Sequence, residues 1–132
     1  MASFRTLIVE DHEELRAVLR SLLHNETQCV VIGEAADGLQ AVQKAQELLP
    51  DLILLDLSLP KLNGMEAGRR IRKISPESKI VFLSQEPDPE IVKSALTLGA
   101  GYLLKSDAKD LPAAVHAVLE GRKFVSERLK AS

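Results

Sequence analysis

Five short apolar runs punctuate the chain: Leu7-Ile8-Val9, Cys29-Val30-Val31-Ile32, Leu52-Ile53-Leu54-Leu55, Ile80-Val81-Phe82-Leu83 and Tyr102-Leu103-Leu104. Their apolar character is continuous rather than alternating, the mark of strands buried on both faces, as in a parallel sheet. Stretches of helical period lie between them. Leu15, Val18, Leu19, Leu22 and Leu23 follow the i, i+3, i+4, i+7, i+8 rule, and Ala41, Val42, Ala45, Leu48 and Leu49 repeat it. Ile91, Ala95 and Leu98 form a shorter stripe, and Leu111, Ala114, Val115, Val118 and Leu119 a final one. The weakest helical stretch runs from about Asn63 to Ser75, with Met65, Ala67, Ile71 and Ile74 as its apolar set.

Punctuation agrees with this pattern. Asp88-Pro89 is a cap followed by proline at the first helical position, and Asp110 is placed to cap the last helix. Gly99 and Gly121 stand where helices should stop. Five β-α units in succession require right-handed crossovers and a parallel sheet covered by helices on both faces. The predicted fold is therefore α/β, a three-layer doubly wound domain with a five-stranded parallel sheet in the order 2-1-3-4-5. Strands 1 and 3 are then neighbours, and the crevice at their carboxyl ends is the expected ligand site.

Composition narrows the function classes. The 132 residues suffice for one ordinary domain, and 45% hydrophobic with 27% charged residues is a globular balance. A net charge of -2 lacks the basic excess of a nucleic-acid-binding domain, and 3% aromatics without tryptophan offer few stacking platforms. The single cysteine, Cys29, excludes an intramolecular disulfide and a four-cysteine zinc site. No apolar run approaches the ~20 residues that span a bilayer. The first residues lead into a strand pattern without signal-peptide organisation, so a cytoplasmic chain without membrane contact is expected.

The predicted topology gathers polar residues that packing alone would not select. Strand 1 ends in Glu10-Asp11, strand 3 in Asp56, strand 4 in Ser84 and strand 5 in Lys105. Two carboxylates ~5 Å apart repel by roughly 3 kcal/mol at an effective dielectric of 20, so a raised pKa or a hard cation must offset them. Oxygen donors without histidine or cysteine favour magnesium. A carboxylate beside magnesium can act as a nucleophile toward phosphorus, and a lysine and a hydroxyl opposite can stabilise the transferred group.

Taken singly, several of these residues have plainer roles. Asp11 with Glu14 spells a capping box for the first helix. Asp56 could start a turn, Ser84 could serve one, and Lys105 could be a solvated surface lysine. His12, His24 and His116 are isolated and form no metal pair. Arg69, Arg70, Arg72 and Lys73 read as a solvated face or partner contact, and Cys29 as a small buried hydrophobe.

Together with Asp56-Leu57-Ser58-Leu59-Pro60 and Gly64, the strand-end residues resemble the receiver domain of bacterial two-component response regulators, from about Thr6 to Glu120. The segment Gly101-Tyr102-Leu103-Leu104-Lys105-Ser106 is most similar to the NarL/FixJ branch. The resemblance implies a phosphorylation-dependent switch in which Asp56 accepts a phosphoryl group from a sensor histidine kinase or phosphotransfer protein. Asp11, Asp56 and the Ser58 backbone carbonyl would hold Mg2+, with Glu10 assisting through water. Ser84 and Lys105 would contact the phosphate, and Tyr102 would follow Ser84 as the switch aromatic. The face of helix 4, strand 5 and helix 5 would report the state, with a homodimer possible on phosphorylation. Such a protein catalyses only its own phosphorylation and dephosphorylation.

There are departures from the pattern. Glu10 replaces the first aspartate of the acidic pair, Gln85 is larger than the residue usual after the hydroxyl, and Ser106 replaces a common proline. A cis peptide at Ser106 is correspondingly not expected. NarL/FixJ regulators continue into a DNA-binding helix-turn-helix. The expectation is a receiver over residues 1–122, with 123–132 a C-terminal tail or the start of a linker to an output domain not in this chain. DNA contact would then belong to that output domain, and control of transcription to the whole regulator. The lifetime of the phosphoryl group would depend partly on Ser58 and Glu86.

Other functional classes fit less well. A haloacid-dehalogenase-type phosphatase wants a second acid two residues after its nucleophile, where this chain has Ser58. An FMN-binding protein needs a hydroxyl-rich phosphate loop, where this chain has Glu10-Asp11-His12-Glu13-Glu14. A receiver fold kept only as an interaction module should have lost one of the five site residues, and none is lost.

Overall fold

In the computed structural model, described for residues 3–85 and 88–126, strands and helices alternate along the chain. The strands are β1 (Phe4–Val9), β2 (Cys29–Ala35), β3 (Leu52–Asp56), β4 (Lys79–Ser84), β5 (Gly101–Leu104) and β6 (Phe124–Val125). The helices are α1 (Glu13–Glu26), α2 (Gly38–Leu48), α3 (Gly64–Ile74), α4 (Pro89–Leu98) and α5 (Leu111–Leu119), with a 3-10 segment over Lys105–Asp110. All strand pairs are parallel, in the order β2-β1-β3-β4-β5-β6. The predicted order is present, and a sixth strand extends it: Phe124 and Val125, read from sequence as tail, pair with Gly101 and Tyr102. Residues 127–132 and Glu86 lie outside the described residues.

The sheet separates two cores. Leu7, Val9, Ile53, Leu55, Ile80, Phe82 and Tyr102 pack with Ala41 and Ala45 of α2, Ala67 and Ile71 of α3, and Ala95 of α4. Ile8, Leu52, Leu54, Val81, Leu83 and Leu103 pack with Leu19 and Leu23 of α1 and Leu111, Val115 and Val118 of α5. Successive strand residues alternate between the two cores because the side-chain period of a strand is two. That is why the central runs are apolar at every position. At the sheet edge β2 departs from the pattern: only Cys29 and Ala35 are buried, and Val30 is 48% exposed.

The helix stripes are narrower than their periodicity suggested. Only Leu19 and Leu23 of the α1 stripe are buried, while Val18 is 48% exposed; on α4 only Ala95 is buried. Asp88 caps α4 through the amides of Glu90 and Ile91, as the Asp-Pro signal indicates. Asn63 caps α3 through Glu66 and Asp37 caps α2 through Gln40. Asp110 stands at the start of α5 but makes no side-chain cap, because the preceding 3-10 turn already leads the chain into the helix. Among the described residues no helix is long and apolar enough to cross a membrane.

Candidate functional site

The carboxyl ends of β1, β3 and β5 meet in one acidic crevice. The β1 end is held from both sides: the Glu10 amide donates to Ala35 O at 3.0 Å, and Arg16 donates to the Glu10 carbonyl at 2.8 Å. Arg16 is itself paired with Glu34, 2.9 Å away. Asp11 does not cap α1. His12 takes the N-cap position without a side-chain cap, because the Asp11 carboxylate turns into the crevice.

The β3 end depends on Gly64. A Cβ there would lie 2.1 Å from the Asp56 carbonyl oxygen and 2.6 Å from the Leu57 Cα. Only the bare glycine lets the first turn of α3 close onto the strand that delivers Asp56, and its amide bonds the Leu57 carbonyl at 3.1 Å. The Asp56 side chain is 0% exposed and accepts from the Ser58 amide at 2.9 Å.

Lys105 lies inside the acidic cluster rather than opposite it. Its Nζ is 3.0 Å from both Glu10 Oε1 and Asp56 Oδ2. It thus offsets the mutual repulsion of the carboxylates in a way that neither a metal nor protonation alone requires. The offset is partial. Burial pushes the Asp56 carboxyl up to about 6, the Glu10 charge adds to this, and the Ser58 amide and Lys105 pull the other way. Burial also opposes the Lys105 charge, but its two carboxylate partners outweigh that and hold its pKa above the ordinary lysine value. At Asp11 the effect of burial is outweighed by hydrogen bonding to Glu10 and the charge of His12, and the pKa is lowered.

His12 belongs to this cluster, contrary to the expectation that it stands isolated. Its Nδ1 lies 2.9 Å from Glu10 Oε2 and 3.2 Å from Asp11 Oδ1, and these partners raise its pKa, Glu10 foremost. A search for a second histidine at ligand spacing misses it. The signal was its place directly after Glu10-Asp11.

The donor set suits a hard cation. Among the described residues, Glu10 Oε1, Asp11 Oδ1 and Asp56 Oδ2 are buried and accept no hydrogen bond, although Lys105 Nζ lies 3.0 Å from the first and the last and donates to Glu10 Oε2 at 3.3 Å. One ligand atom from each of Glu10, Asp11, His12 and Asp56 falls within 4.8 Å of the others. Oxygen-rich, anionic and partly unsatisfied, this arrangement matches magnesium or calcium chemistry.

Ser84 and Tyr102 complete the crevice edge. The Tyr102 ring is fully buried with its hydroxyl beside Ser84, and burial raises the phenol pKa. The aromatic expected to follow Ser84 is therefore already turned inward. Beside them lies a cleft of roughly 510 Å³ bordered by Ser58, Met65, Arg69, Ser84, Asp88 and Ile91. All described peptide bonds are trans, that between Lys105 and Ser106 included.

A parallel doubly wound domain with an acidic crevice at the strand ends is the architecture of a signalling receiver, and the comparison with known families agrees. The chain belongs to the response regulator receiver domain family, whose model matches residues 6–116. It is 40% identical over 125 residues to the nitrate/nitrite response regulator protein NarL of Escherichia coli strain K12, covering 93% of this chain and 58% of that one. The chain thus spans a little over half the length of that regulator. Among solved structures it is similar to a two-component response regulator of the LuxR family from Aurantimonas sp. SI85-9A1, with a TM-score of 0.92 at 30% identity over 98% of this chain and 94% of that one. The isolated receiver of RcsB from Salmonella enterica serovar Typhimurium, determined in the presence of the phosphomimetic BeF3-, matches with a TM-score of 0.91 at 26% identity over 98% of both chains.

Proposed function

We propose that this domain is a phosphorylation switch whose acceptor is Asp56, loaded by a sensor histidine kinase or phosphotransfer protein. The observation that carries this reading is the buried Asp56 carboxylate, held between the Ser58 amide and Lys105 beside unsatisfied oxygens of Glu10 and Asp11. An Asp56 oxygen attacks phosphorus, the P–N bond of the phosphohistidine breaks, and the imidazole leaves with the electron pair. Asp56 reacts as carboxylate. With a pKa of about 6 it is largely ionised at neutral pH, and a cation in the crevice would favour that form further.

Asp11, Asp56 and the Ser58 carbonyl would hold Mg2+, with Glu10 assisting. When bound, it would neutralise charge on the transferring phosphoryl group. Lys105 would exchange its contact with Asp56 Oδ2 for a phosphoryl oxygen, and the Ser84 hydroxyl would donate to another. Tyr102, its hydroxyl beside Ser84, would carry that shift to the α4-β5-α5 face. In this reading the domain turns over no external substrate, works in the cytoplasm, and controls transcription through a DNA-binding output domain of the longer regulator. Dimerisation on phosphorylation fits the same scheme.

Intact mass after incubation with magnesium and acetyl phosphate tests the assignment. The wild type should gain one phosphoryl group, labile at alkaline pH, and Asp56→Asn none. An adduct of equal yield on the variant would sink it.

A further inference from the structure

Ser126 is a fully buried polar residue at the end of β6, and nothing in the phosphoryl chemistry uses it. Among the described residues, both of its hydrogen bonds go to β5. The Ser126 amide donates to Tyr102 O at 3.1 Å, and its hydroxyl accepts from the Leu104 amide at 2.9 Å. A continuing parallel ladder would offer a main-chain carbonyl to Leu104; here a side-chain oxygen takes that place, so the bond is specific to a hydroxyl residue. The two bonds grip β5 on either side of Leu103.

The gripped segment contains Tyr102 and directly precedes Lys105. Tyr102, whose carbonyl Ser126 holds, is fully buried with its ring hydroxyl beside Ser84. Leu104, whose amide Ser126 holds, directly precedes Lys105, whose ammonium spans Glu10 and Asp56 at 3.0 Å. Phe124 completes the attachment through its amide to Ala100 O at 3.0 Å. The chain leaving the sheet is thus tied to the peptide groups that aim Lys105 and Tyr102. No other described residue after α5 bonds that strand end through its side chain.

We propose that Ser126 is a positioning residue and the coupling point of the switch. Its amide and hydroxyl hold the end of β5 so that Lys105 meets the two carboxylates. When Lys105 and Tyr102 shift, the same two bonds pass the shift to the chain that follows residue 126. The inference rests on the reading of Asp56 as acceptor, and it adds a route from that residue to the segment joining receiver and output domain. Packed hydrogen-bonded elements with two arrangements are the physical form such coupling takes.

The test uses the 132-residue chain as wild type, Ser126→Ala and Val125→Ala, with amide hydrogen exchange and with beryllofluoride plus magnesium as the probe. Ser126→Ala should speed exchange at Leu104 by about three- to tenfold and weaken beryllofluoride binding by a similar factor, the worth of one hydrogen bond. Val125→Ala loosens β6 but keeps the hydroxyl, and should leave beryllofluoride affinity within about twofold of wild type. In the wild type, beryllofluoride should alter exchange at the Ser126 amide. If Ser126→Ala binds like wild type, or if both variants weaken binding alike, Ser126 only closes the sheet and the proposal falls. No beryllofluoride response in the wild type would instead overturn the Asp56 assignment, and the coupling with it.

Discussion

Replacing Asp56 by asparagine keeps the size and the acceptor for the Ser58 amide while removing one buried charge. Asp56 holds its proton in the fold up to a pH of about 6, against 3.8 for an ordinary aspartate. Between those values the folded chain binds more protons than the unfolded one, so wild-type stability falls as pH rises. The contribution is fully present below pH 4 and lost by the time pH has passed 6. At roughly 1.4 kcal/mol per pH unit the cost above pH 7 is about 3 kcal/mol, an upper bound for a carboxyl this close to Glu10 and Lys105. The variant turns an amide N–H toward Lys105, which takes back about 1 kcal/mol. The net gain of about 2 kcal/mol at pH 8 corresponds to a Tm higher by roughly 6–10 °C for a domain of this size. Near pH 4.5 the two proteins should melt together. Thermal unfolding in EDTA at both pH values is the assay, and millimolar magnesium should narrow the gap at pH 8 by stabilising the wild type. A variant no more stable than wild type at pH 8, or equally more stable at both, would refute the argument that a buried, under-compensated charge sits at Asp56.

Two further substitutions probe the supports of the site. Lys105→Met leaves Glu10 and Asp56 buried without their cation. It should cost about 2–4 kcal/mol in urea unfolding at pH 8 and less at pH 5, where Asp56 is protonated; an unchanged midpoint would show the pair to be energetically idle. Gly64→Ala drives a methyl against the Asp56 carbonyl oxygen. A loss of about 1–3 kcal/mol and slower gain of the phosphoryl adduct are expected, whereas wild-type stability and rate would mean that α3 can retreat freely.

Much of this domain is legible in its sequence because the information is local. The apolar runs from Leu7 to Leu104 name the central strands and their two-sided burial, and the helical stripes, with Asp88-Pro89 and Asn63, mark the layers between. The handedness of β-α-β connections then orders the strands, and that order alone brings Glu10, Asp11, Asp56, Ser84 and Lys105 to one edge. What sequence could not supply was the pairing of groups distant along the chain. The Lys105 ammonium lies between Glu10 and Asp56 because strand register and burial bring their atoms within 3.0 Å, a distance no spacing rule encodes. His12 joins the acidic group, and Asp11 abandons its cap, because the crevice offers charged partners that outcompete the helix end. The segment Phe124-Val125-Ser126 lacks the length and periodicity of a strand, and it becomes one only because β5 leaves an open edge beside it. A side chain's type is written in the sequence; whether it is caught by a partner tens of residues away is decided only when the sheet closes around it.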